Sequence, residues 1–147
     1  MKAKGNALSC MLVFFMLAFQ SLGQTTATPL TWNSYFDDDE LRIELAEAQR
    51  ADSANGIFNN YLLIRITNKT DSEVDVSFQK QLSYNMQPSA SDAMQPLRLQ
   101  AHETLTGSVD PSTDKTLRIF VNQYAGMNKK VLTGYSLTNI SSTTVIR

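Results

Sequence analysis

The feature that most restricts how this chain can fold is a run of period-two alternation between Asn60 and Tyr84. Leu62, Ile64 and Ile66 alternate with Leu63, Arg65 and Thr67. Further on, Val74, Val76 and Phe78 alternate with Asp75, Ser77 and Gln79. Alternation places successive side chains on opposite faces of a sheet. A helix would need apolar residues three and four positions apart, and this stretch does not supply them. Between the two arms, Asn68 to Ser72 is polar and rich in residues whose short side chains bond to nearby backbone. The pattern predicts a β-hairpin with a connection longer than the two-residue optimum. The second arm keeps its alternation through Lys80, Leu82 and Tyr84.

Similar patterns recur along the chain. Leu41, Ile43 and Leu45 alternate, although Glu44 to Arg50 reads ELAEAQR, a good helix-forming composition. The strand reading is preferred over 41–51 because the neighbouring elements are strands. Asp52 to Asn59, with Gly56, reads as a loop. Asn85 to Pro96 reads as a polar insertion. Leu97, Leu99 and Ala101 form another alternating set, and Leu105, Gly107 and Val109 continue it after a turn at His102-Glu103. Asp110 to Asp114 reads as a loop. Leu117, Ile119 and Val121 predict a strand, Asn122 to Lys130 a connection, and Val131 to Ile140 a late strand with a bulge at Gly134. Val145 and Ile146 are expected to close an edge. About seven strands and no helix predict an all-β, antiparallel two-sheet sandwich, with a small β-barrel as the alternative.

The first 23 residues read as a signal peptide. Lys2 and Lys4 precede an apolar run from Ala7 to Phe19, and Ser21 and Gly23 suit a cleavage site after Gly23. The run is shorter than the 20 or so residues of a membrane span. Cys10, the sole cysteine, lies inside that run and is removed with it, so no disulfide or thiol chemistry is expected in the mature chain. Residues 24–40 are expected to form an extended leader anchored by Trp32 and Tyr35, and 41–147 a single β-sandwich domain. Removing Lys2 and Lys4 leaves eleven basic residues against fourteen acidic ones, a formal charge of −3. The only adjacent basic pair is Lys129-Lys130, so no nucleic-acid partner is expected.

Several residues bear on chemistry. Asp37-Asp38-Asp39-Glu40 supplies hard oxygen ligands for calcium, joined in space by Asp110 and Asp114 if the fold brings them near. Consecutive acids splay apart, however, and a solvated loop accounts for them equally. Met86 and Met94, each followed by Gln-Pro, and Met127 are soft ligands for copper, with His102 as the available imidazole. The alternative is a loop covering a core edge. His102 falls on the polar side of its strand and reads as a surface side chain. No carboxylate pair is marked by spacing for acid–base work. No catalytic, cofactor-binding or metal-ligating residue is therefore assigned, no cofactor is expected, and the chain is expected not to be an enzyme. Asn68-Lys69-Thr70 and Asn139-Ile140-Ser141 match the N-glycosylation pattern and are taken as incidental.

The segment ITNKTDSEVDVSF, an apolar strand ending in Asn-x-Thr with a Val-rich strand after it, resembles hairpins of exported immunoglobulin-like bacterial domains. With the signal ending SLGQ and the late strand GYSLTNI, the chain resembles small secreted immunoglobulin-like β-sandwich proteins of Bacteroidota, a group largely without assigned function. Asp52-Ser53-Ala54 resembles the short motif at which those bacteria glycosylate exported proteins, with Ser53 as the acceptor. The resemblance implies the sandwich fold and carries no chemistry. The signal peptide predicts export to the periplasm or beyond, and the sandwich pattern, the mildly acidic charge and the missing catalytic set predict a non-enzymatic module that binds a protein or glycan. A calcium- or copper-binding exported module is the alternative, and a small hydrolase comes after it.

Overall fold

The computed structural model describes residues 29–90, 96–124 and 130–146. The expected signal and its cleavage point, with Cys10, lie outside these residues, as do Met94, Met127 and Lys129. The described chain is an antiparallel two-sheet sandwich. Nine strands are present among the described residues where about seven were expected: β1 (Asn33–Asp37), β2 (Leu41–Asp52), β3 (Ile57–Asn68), β4 (Val74–Tyr84), β5 (Gln87–Pro88), β6 (Leu97–Leu99), β7 (Thr104–Thr106), β8 (Arg118–Gln123) and β9 (Leu132–Thr144). The first sheet runs β1-β2-β3, with β7 and β8 sharing the far edge of β3. The second centres on β4, with β9 along one edge and β5 and β6 at the two ends of the other.

The hairpin expected between the two central arms is not formed. Both arms are strands, but β3 lies in the first sheet and β4 in the second. Alternation fixes which face of a strand is buried, not which strand lies beside it. Here both edges of β3 are taken, by β2 on one side and by β7 and β8 on the other. The two apolar faces therefore meet across the core instead of lying side by side. The long hairpin of the fold is β2–β3, with twelve consecutive pairs from Leu41↔Asn68 to Asp52↔Ile57. That ladder overrides the helix-forming composition of Glu44 to Arg50. Its turn is a short 3-10 segment, Ser53–Asn55, closed by Gly56 at a left-handed φ of 65°. The Asp52 carboxylate caps it, accepting the Asn55 backbone N–H at 3.2 Å and the Asn55 side-chain amide at 2.8 Å.

Other boundaries move as well. The leader contributes β1, which pairs with β2. The polar insertion opens with a tight turn at Asn85-Met86, both at positive φ, which brings Gln87 opposite Tyr84. Gly107 and Val109 lie outside β7. Val145 and Ile146 form no separate strand: β9 runs on to Thr144, and the Val145 N–H then bonds the Glu73 carbonyl at 2.9 Å. The ladder with β4 shifts beside Gly134, where a bulge was expected, and again opposite Ser77–Gln79, where Asn139 takes a φ of 52°.

The core fills the space between the sheets. Leu41, Ile43 and Leu45 from β2, Leu62, Ile64 and Ile66 from β3, and Ile119 from β8 meet Val74, Val76 and Phe78 from β4, Leu99 from β6 and Leu137 from β9. Burying each such side chain contributes about 1.5–3 kcal/mol relative to exposure. Lys80 shares the inward face of β4 and is 8% exposed. Its ammonium donates to the carbonyls of Thr116 and Arg118, at 3.1 and 3.4 Å, so the buried charge is held by backbone dipoles.

Two passages of chain cross between the sheets at one end, β3 to β4 and β6 to β7, and Asn68 joins them. This side chain is fully buried. Its amide nitrogen donates to Ser72 O at 2.7 Å in the first crossing and to Gln100 O at 2.8 Å in the second. Its side-chain oxygen accepts from the Thr70 N–H and hydroxyl, at 2.9 and 2.8 Å. Its backbone N–H reaches Glu103 O at 2.9 Å, and His102 N–H reaches Thr70 O at 3.2 Å.

Between β7 and β8 the chain leaves the sheet and returns at one point. The Gly107 N–H bonds Ile64 O, and the Ile64 N–H bonds Leu117 O, both at 2.9 Å. A Cβ on Gly107 would lie 1.9 Å from Leu117 O, so the neck closes only over glycine.

Asn68→Asp replaces the donor that faces two carbonyls with a carboxylate. The variant is expected to lose about 3 kcal/mol or more in urea unfolding at neutral pH, and to recover part of it in acid, where the protonated carboxyl donates again. Gly107→Ala is expected to cost about 1–3 kcal/mol and to speed amide exchange at Ile64 before exchange at Ile43.

Candidate functional site: a groove on the outer face of the first sheet

The pairing of β2 with β3 sets Ala46 opposite Leu63 and Ala48 opposite Tyr61. These side chains point away from the main core, since Leu45 and Leu62 point into it. Ala46, Ala48 and Leu63 are nonetheless buried, Leu63 to 3% exposure. The outer face is therefore covered. Trp32 lies under the Arg65 guanidinium, 4.3 Å from ring centroid to Cζ, and Arg65 Nε donates to Glu44 at 2.7 Å. This stack pins the leader to the sheet. Further along, Tyr61 and Phe120 meet edge to face at 5.9 Å, and Arg118 lies 5.7 Å from the Tyr61 ring centre.

A groove of about 810 Å³ runs between the leader at Pro29–Thr31 and the Gly107–Val109 segment. Ala48 and Leu63 supply apolar lining, while Glu47, Gln49, Asn60 and Ser108 add polar groups. The Asn60 amide nitrogen donates to Asn122 at 2.8 Å. Its side-chain oxygen is buried and has no hydrogen-bond partner among the described residues. An unpaired buried acceptor is costly, about 1–3 kcal/mol. The groove thus offers an apolar bed with a carboxylate and polar side chains on its margin, while the Asn60 oxygen stays out of its reach. These groups suit recognition by shape and hydrogen bonding.

The residues singled out from sequence are dispersed. Asp37 pairs with Arg42 and Lys69, each at 3.0 Å. Asp38 caps the β1–β2 turn, accepting the Glu40 and Leu41 N–H groups at 2.9 and 2.7 Å, while its carbonyl accepts from Lys69. Glu40 accepts from the Ser142 hydroxyl. Asp110 lies near Arg50, at the opposite end of β2 from Asp37, and turns onto Ser112; Asp114 turns onto Thr116. The structure therefore does not gather Asp110 and Asp114 with the acidic run. Among the described residues no three His, Cys, Asp or Glu side chains converge. His102 is exposed, at positive φ, with Nε2 2.7 Å from Asp71. Met86 is exposed in its turn. Ser53 is exposed at the tip of the β2–β3 hairpin, Asn139 is exposed in a β9 bulge, and Asn68 is buried. Among the described residues no helix is long and apolar enough to cross a membrane.

The groove itself was not anticipated. Its signal was the second apolar set, Ala46, Ala48 and Leu63, at positions that alternation assigns to the polar face. Comparison with protein-family models, curated proteins and solved structures finds no match to this chain.

Among the described residues, six carboxylates hold their protons less tightly than usual. The Lys69 hydrogen bond, then Arg42, lowers Asp37; Arg65 lowers Glu44; the Asn55 amide lowers Asp52; and Arg98, bound through two nitrogens at 2.9 Å, lowers Asp75. Hydroxyl and backbone bonds from Ser112 and Thr116 lower Asp110 and Asp114. Their stabilisation is full above the unfolded carboxylate value of about 4 and is lost as pH falls through the lowered folded values. The melting temperature is expected to hold steady from neutral pH to about pH 5 and to fall below about pH 4. Molar salt should lessen the part due to Asp37, Glu44 and Asp75 more than the part due to the turn carboxylates.

Proposed function

We propose that this chain is an exported, non-enzymatic binding module whose groove takes a short extended segment of a protein partner. The observation that carries the reading is a groove of about 810 Å³ with an apolar bed of Ala48 and Leu63 and polar groups from Glu47, Gln49 and Ser108 along it. Glu47, Gln49 and Ser108 suit the backbone groups of a bound segment, and Ala48 and Leu63 suit a small apolar side chain beside them. A glycan is the less favoured ligand, because among the described residues no aromatic ring lines the groove to stack on a sugar face. Catalysis is less favoured because His102, the single histidine, sits with Asp71 at the crossover end of the sandwich, away from the groove. Export to the periplasm or beyond, and kinship with small secreted immunoglobulin-like sandwiches of Bacteroidota, belong to the same proposal and rest on the sequence.

The test is selection of random extended dodecapeptides on the folded protein, repeated on Ala48→Trp, which fills the bed, and on Asp75→Asn, which lies on the other sheet. Peptides are expected that bind the native protein and Asp75→Asn alike and bind Ala48→Trp at least about tenfold more weakly, a difference of about 1.4 kcal/mol. Unchanged melting of Ala48→Trp would show that its fold is intact. No enrichment, or enrichment indifferent to Ala48→Trp, would overturn the proposal.

A further inference from the structure

β9 is the longest strand and lies at the edge of the second sheet, hydrogen-bonded to β4 alone among the described strands. Natural edge strands are shielded from pairing with other chains by lysines, prolines, bulges or covering segments. Leu132 to Thr144 contains no charged residue and no proline, and most of its side chains are hydroxyls or small. Two register shifts toward its ends give it some protection, and the stretch between them is protected from elsewhere. The two register shifts bracket a regular stretch in which Gly134 to Thr138 faces Gln79 to Ser83. In the middle of that stretch the Leu137 N–H points away from β4 and donates to the Tyr35 hydroxyl oxygen at 2.8 Å. The Tyr35 ring packs on Tyr135, with centroids 6.4 Å apart. Tyr35 belongs to β1, a five-residue strand mostly exposed, with Phe36 its contact to the core. A second tie, from Glu40 to Ser142, holds the same margin.

In an antiparallel ladder, backbone groups alternate between facing the partner and facing outward. Leu137 faces outward, so Tyr135, two residues earlier, presents its N–H and carbonyl on the same free side. We propose that Tyr35 is an edge guard that keeps this chain monomeric, and that the edge it covers is built to take β9 of a second copy in antiparallel register. A second copy is the occupant because an uncharged strand meets itself without like charges opposed. Its hydroxyls can also pair across the strands, as Thr67 with Thr104 at 3.0 Å and Ser77 with Ser141 at 2.8 Å do within this fold. Such a contact would be two-fold, each β9 serving the other.

The test is Tyr35→Phe in the chain purified from its own host. The substitution keeps the ring on Tyr135 and removes the acceptor oxygen. Sedimentation across a concentration series is expected to show a native monomer and a variant that dimerises as concentration rises. Amide exchange at Leu137 and Tyr135 should slow in the dimer, and adding Tyr135→Lys should restore the monomer. A variant that stays monomeric at the highest concentration, with a fast-exchanging Leu137 amide, would overturn the proposal. So would a native protein already dimeric, or a variant dimer that survives Tyr135→Lys.

Discussion

One primary amide holds the two sheets in register. Asn68 lies where the chain leaves the first sheet, and it closes both crossings with a single side chain. Its two donors meet two carbonyls and its oxygen meets two donors, so its main hydrogen-bonding capacity is met. This accounting permits a fully buried polar group beside a core of Leu, Ile, Val and Phe. It also explains why β3 and β4 can face each other instead of lying side by side. A five-residue link between sheets leaves backbone groups without ladder partners, and Asn68 supplies several of them.

The same economy recurs along the flanks of the sandwich, where polar side chains bridge the sheets. On one flank the Tyr84 hydroxyl donates to Phe120 O at 2.8 Å, its phenol pushed up by burial, and Lys80 reaches the neck of the excursion. On the other flank Tyr35 and Glu40 reach β9. In each case a side chain from one sheet meets backbone or hydroxyl groups of the other at a place where no strand continues the ladder. The apolar core supplies the attraction between the layers, and these bridges fix their relative placement.

What the sequence made legible was the face of each strand. Leu41, Ile43 and Leu45, the even apolar residues of β3, and Val74, Val76 and Phe78 all point where alternation sends them. Partner choice was not legible, because local periodicity carries no information about which edge is already occupied; the expected hairpin failed for that reason. Lys80 shows a second limit. Its place in the alternation is apolar, and the carbonyls of a segment some 36 residues away help to make that place tolerable. The groove lay in a third blind spot. Ala46, Ala48 and Leu63 depart from the binary pattern, but a departure becomes meaningful only once the leader and the Gly107–Val109 segment are seen to cover it. Asn68 was noticed for its turn chemistry, yet its reach to Gln100 is a tertiary fact.

The neck at Gly107 and Leu117 separates two kinds of freedom. Because both ends of the excursion are fixed to the two backbone groups of Ile64, and the carbonyls that hold Lys80 and Arg118 lie close to those ends, the sheet depends on the two flanks of the excursion more than on its middle. The entropic cost of a longer insertion grows only slowly with its length. The middle of the excursion, Pro111–Thr113, is therefore the part able to drift in length and sequence while the strands around it are held constant. Change at the tip of the excursion and constancy of the strands can thus be selected independently in this fold.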